Sequence, residues 1–145
     1  MKHDRACLES VKNWRLNWLD CLYELSDYSL QLHSWNGKLE SNNPHWSFVE
    51  FTCGYFDDCS LVNGYDGAVN NGFLSKEEAA AVAKFHFAAD AYKPPKNKEY
   101  DHVAILRDAK WQSVVEIAVA ACNALSKILV DPTELAILNR VRGNT

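Results

Sequence analysis

The sequence predicts an all-α domain, an irregular antiparallel bundle of five to seven helices in one unit spanning residues 1–145. Three observations predict it. Apolar residues recur at three- and four-residue intervals along most of the chain. Helix start signals are strong and repeated, whereas no alternating stretch makes a convincing strand, although Val62 or the Val103–Leu106 run could be extended. The chain has 145 residues and is 48% hydrophobic, enough to bury a core without disulfides or metal.

The first helix is expected from about Asp4 to Leu25, where Val11, Trp14, Trp18, Cys21, Leu22 and Leu25 form one apolar stripe. Ser26-Asp27 either breaks it or caps a shorter helix from Asp27 to Trp35, closed by Gly37. Asn43-Pro44 reads as N-cap and first-turn proline of a helix from Pro44 to Phe56 that buries Phe48, Val49, Thr52 and Phe56. Residues 59–74, with Gly64, Gly67 and Gly72, form the main loop. Ser75 and Glu78 then make a capping box, because each can bond the other's backbone N–H.

The helix behind that box runs to about Tyr92, with Val82, Phe85, Phe87 and Ala89 packing, until Pro94-Pro95 stops it. The Lys-rich linker Lys93 to Lys98 leads to a short segment holding His102, Ile105 and Leu106. Asp108 caps the longest core helix, Ala109 to Leu129, whose apolar residues nearly encircle it and make it the central one. Asp131-Pro132-Thr133-Glu134 opens a last helix that ends near Arg142.

Composition narrows function more than motifs do. The net charge is −4, but residues 20–78 hold ten acids (Asp20, Glu24, Asp27, Glu40, Glu50, Asp57, Asp58, Asp66, Glu77, Glu78) and two bases. Such a segment disfavours nucleic acid, whose phosphates need a basic face. It favours a basic protein partner attracted by charge, or else is a solvated surface that keeps the chain soluble. No apolar run reaches membrane-spanning length and no signal peptide is expected, so the membrane is not a partner. The five cysteines are odd in number and never spaced C-x-x-C, which points to reduced thiols in a cytoplasmic protein.

No motif names a reaction, and the chain is expected not to be an enzyme and to use no cofactor. There is no G-x-S-x-G, and the loop glycines lack the Lys-Ser/Thr of a phosphate loop. Metal binding would have to be assembled from His86 and Asp90, four apart on one helix face, with Asp57, Asp58, Asp101 or His102. That would serve a metal-dependent hydrolase. The plainer reading packs His86 beside Phe85 and Phe87 and leaves the aspartates as caps and loop residues.

The remaining candidate is a recognition surface. Trp46, Tyr55, Tyr65, Phe73 and Tyr92 lie at element ends or in loops, in or near the acidic segment. Aromatic anchors in an acidic rim suit a binder of a basic protein, although any of them could instead seal the core. The expected partner-binding set is Glu50, Tyr55, Asp57, Asp58, Tyr65, Asp66, Phe73, Glu77 and Glu78.

Several short motifs share a layout: Gln31 with Trp35, Phe48-Val49-Glu50, Tyr55-Phe56-Asp57-Asp58, Gly72-Phe73-Leu74-Ser75, Tyr92-Lys93-Pro94-Pro95, and Ile105 through Trp111. This layout resembles the small helical bacterial proteins with an F-D-D signature, among them immunity proteins of contact-dependent growth inhibition and related toxin systems. The resemblance covers about half the chain and transfers no functional residues. It implies a cognate toxin, commonly a basic nuclease, neutralised through surface complementarity. A non-catalytic regulatory subunit is the further alternative, and oligomeric state is left open.

Overall fold

In the computed structural model, residues 2–35 and 47–140 are described, with side chains from Leu8 onward. The chain is all-α, and among the described residues there is no strand. Among the described residues eight α-helices follow in order: α1 Lys2–Ser26, α2 Tyr28–Trp35, α3 Phe48–Cys53, α4 Asp66–Asn70, α5 Lys76–Ala91, α6 His102–Arg107, α7 Ala109–Ser126 and α8 Pro132–Leu138. A wide π-helical turn, Gly54–Asp58, extends α3, and a 3₁₀ turn, Pro95–Asn97, follows α5. The count exceeds the expected five to seven because α4, a single turn too short for periodicity to detect, forms inside the predicted loop.

Capping sets most of the boundaries. Asp27 caps α2, its carboxylate accepting the Leu30 N–H at 3.0 Å and the Tyr23 hydroxyl at 2.7 Å. The Ser75–Glu78 box opens α5 with both reciprocal bonds, 3.1 and 2.8 Å. Asp101, Asp108 and Asp131 accept backbone N–H groups at the starts of α6, α7 and α8. Ser47 caps α3 by accepting the Glu50 N–H, so that helix begins at Phe48, while the expected Asn43-Pro44 start lies outside the described residues. The central helix stops at Ser126 rather than Leu129, and the last one at Leu138 rather than near Arg142.

The centre of the molecule is α7, which lies against α1, α5, α6 and α8. Its buried Trp111, Val114, Val115, Ala118, Ala121, Cys122 and Leu125 meet Trp18, Leu19 and Leu22 of α1 and Val82 and Phe85 of α5 in one cluster. Phe87 departs from expectation: it is 77% exposed. At 100° per residue it stands about 200° round α5 from the fully buried Phe85, so the two cannot share a packing face.

Two polar devices tie distant segments together. Arg15 of α1 directs all five guanidinium N–H groups inward. It bonds both Glu78 oxygens (3.0 and 2.6 Å), both Glu134 oxygens (2.7 and 3.0 Å) and the Phe73 carbonyl (3.0 Å). The clasp joins the N-termini of α5 and α8 to α1, where the dipoles of both helices favour the carboxylates. Further off, the Phe48 N–H donates to His102 Nε2 at 3.3 Å, and the His102 ring also bonds the Trp35 backbone. His102 thus links the last residue of α2 to the first of α3.

A candidate partner-binding surface

Five of the expected contact residues are exposed acids: Glu50, Asp57, Asp58, Asp66 and Glu77. Three of them gather on α3 and its π turn. They surround the half-buried Cys53, whose thiol is pushed up first by burial, then by donating a hydrogen bond to Asp57 and by the charges of Asp57, Glu50 and Asp58. Asp66 sits on α4, and Glu77 in the first turn of α5.

The other expected residues are used internally. Glu78 is 7% exposed and belongs to the Arg15 clasp. Burial opposes its ionisation, but the Arg15 and Ser75 bonds outweigh that and hold its carboxyl below the usual range. Phe73 is partly buried and stacks on Trp14 with ring centroids 5.3 Å apart. Tyr55 and Tyr65 are core residues, at 0% and 8% exposure.

These tyrosines sit in a buried relay. Trp18 Nε1 donates to the Tyr65 hydroxyl at 2.7 Å, Tyr65 and Tyr55 hydroxyls lie 2.7 Å apart, and Tyr55 reaches His86 Nδ1 at 2.8 Å. If every link is satisfied, protons point from Trp18 towards a neutral His86, whose pKa burial indeed lowers. Burial pushes both phenols up, so neither ionises near neutrality.

The candidate metal residues are dispersed among other tasks. His86 packs against Tyr55, Phe56 and Tyr65, not against Phe85 and Phe87 as the sequence suggested. Asp101 caps α6, and His102 bridges α2 and α3. Asp57, Asp58 and Asp90 are exposed. Among the described residues, no three His, Cys, Asp or Glu side chains converge as metal ligands would. Trp46 and Glu40 lie outside the described residues.

An open groove of about 320 Å³ runs between α3 with its π turn and the end of α5 with the loop that follows. Phe48, Thr52 and Phe56 form one wall, and Ala89, Tyr92 and Pro94 the other. Asp90 and Glu99 stand on its rim with one cation, Lys93. Tyr92 is held in place because its hydroxyl donates to Asp108 at 2.9 Å and its ring packs on Phe48 and Trp111. The groove's last α3-side residue, Phe56, is followed directly by Asp57 and Asp58. Sequence reasoning singled out Tyr92 but missed Phe56, whose signal was its place next to two solvated aspartates. No family model, curated protein or solved structure matches this chain.

Proposed function

We propose that the protein is an immunity-type inhibitor: a non-catalytic, cytoplasmic protein that binds a basic toxin domain and covers its active site. One observation carries this reading. An aromatic-walled groove, formed by Phe48, Phe56 and Tyr92, carries the acids Asp90 and Glu99 on its rim, and its Phe56 is followed directly by the exposed Asp57 and Asp58. Aromatic anchors give a partner's side chains a desolvated seat, and surrounding carboxylates steer a basic protein towards it. Among the described residues no helix is long and apolar enough to cross a membrane.

The test uses the polypeptide encoded beside this gene, in titration calorimetry at low and high salt. The reading expects a one-to-one complex weakened by salt. Asp57→Lys with Asp58→Lys should slow association by at least about tenfold, and Phe56→Ala should speed dissociation. Absence of a complex at low salt would end this reading.

A further inference from the structure

We propose that the exposed face of α5 is the interface of a symmetric homodimer, two copies packing antiparallel through Phe87. Phe87 does not line the partner-binding groove, although Asp90, at the edge of this face, also stands on the groove's rim. Phe87 stands about one turn before the end of a surface helix at 77% exposure, an unusual place for a phenyl ring. Around it the solvent face of α5 is Lys76, Ala80, Ala83, Lys84 and Ala91, all exposed and all within an arc of about 100°. The three alanines let a second backbone come close.

The same face carries a receptor for the ring. At its other end, two turns from Phe87, a hollow of about 530 Å³ is lined by Ala79, Ala80, Val69 and Lys76, with Asp66 and Asn70 of α4. Knob and hollow lie on the same helix and lean to the same side of its face. A two-fold axis perpendicular to α5 preserves that side while reversing the direction of the helix. Centred between Ala83 and Lys84, it places each Phe87 over Ala80 of the second copy, at the mouth of the hollow.

Charge obeys the same symmetry. Lys76 on this face and Asp90 at its Ala83 edge are centred within half a residue of the same point, so the axis brings each Lys76 to Asp90 of the second copy. Two complementary pairs sharing one midpoint are what an isologous interface requires, and a foreign partner would not impose that pattern. The two Lys84 side chains flank the axis at the opposite edge of the face, where their stems carry the ammonium groups out to solvent. One helix of 16 residues makes a small interface, so the dimer should be weak and concentration-dependent.

Sedimentation velocity on the full chain, from about 5 to 500 µM, tests this. The average mass should climb from 16.4 kDa towards twice that value. Phe87→Ala should weaken association at least about tenfold while leaving the helical circular dichroism unchanged. Lys76→Asp and Asp90→Lys should each weaken it, and combining them should restore it to near wild type. Both exchanges suit the helix dipole at their positions, so folding is preserved. A wild type that stays monomeric throughout, a dimer indifferent to Phe87→Ala, or a double exchange without rescue would each overturn the proposal.

Discussion

Replacing Arg15 with methionine should be among the most damaging single changes available, and the reason is electrostatic rather than steric. Methionine keeps much of the side chain's volume. It removes all four guanidinium bonds to Glu78 and Glu134, whose side chains are each only 9% exposed, and leaves Glu78 with the Ser75 N–H. Two carboxylates are then left close together, mostly buried and without their cation. Breaking a buried pair in this way costs about 3–5 kcal/mol, whereas an exposed pair costs under about 1. For a chain of this length that is roughly 10–15 °C in melting temperature, and a large part of the total stability.

The mechanism is separable from simple loss of packing. If uncompensated charge is the cause, Glu78→Gln should destabilise the wild type yet stabilise Arg15→Met, because glutamine keeps the capping oxygen for the Ser75 N–H and removes a charge. Lowering the pH should also narrow the gap between Arg15→Met and wild type, as the freed carboxylates take up protons. Urea unfolding of the four proteins in the cycle measures the coupling directly. Additive effects of the two substitutions, or a cost below about 1 kcal/mol for Arg15→Met, would refute the reasoning.

Two further outcomes are expected. Tyr65→Phe should lower the urea midpoint at unchanged slope, costing about 1–3 kcal/mol, because it strands the fully buried Trp18 N–H; a cost near zero would mean that the relay is incidental. Stability should vary with pH through opposed groups. His86 and His102 have pKa values lowered first by burial, so their contribution is complete above 6.5 and is lost as pH falls below it. Glu24 is raised from 4.5 to about 7 by burial and by Asp20, against Arg140, so its contribution is complete below 4.5 and is lost as pH rises through 7. Melting curves should therefore show Glu24→Gln losing the decline between pH 4.5 and 7, and His102→Gln losing part of the fall on the acid side; unchanged pH slopes in both would contradict these assignments.

Features encoded within one turn were legible in the sequence. The Ser75–Glu78 box and the aspartates before α6, α7 and α8 need only their own next three residues, so their spacing suffices. What failed required knowing where a helix points. Glu78 looked like one more surface acid because Arg15, 63 positions earlier, leaves no local trace of its partner. Phe87 looked like core because hydrophobicity alone does not tell the two sides of an alanine-rich helix apart. The groove was half visible: Tyr92 and the paired aspartates stood out, but its walls come from residues 48–56 and 89–94, which only tertiary packing brings together.

The Arg15 clasp also bears on how the chain matures during synthesis. Arg15 leaves the ribosome 63 residues before Glu78 and 119 before Glu134. Until α8 has emerged, the guanidinium has one of its two carboxylates, and α1 lacks the helix that packs beside Asp20 and Arg140. A nascent or prematurely terminated chain would therefore display an incomplete surface where α8 belongs, open to chaperones and proteases. The emergence of α8 decides whether the first helix is locked.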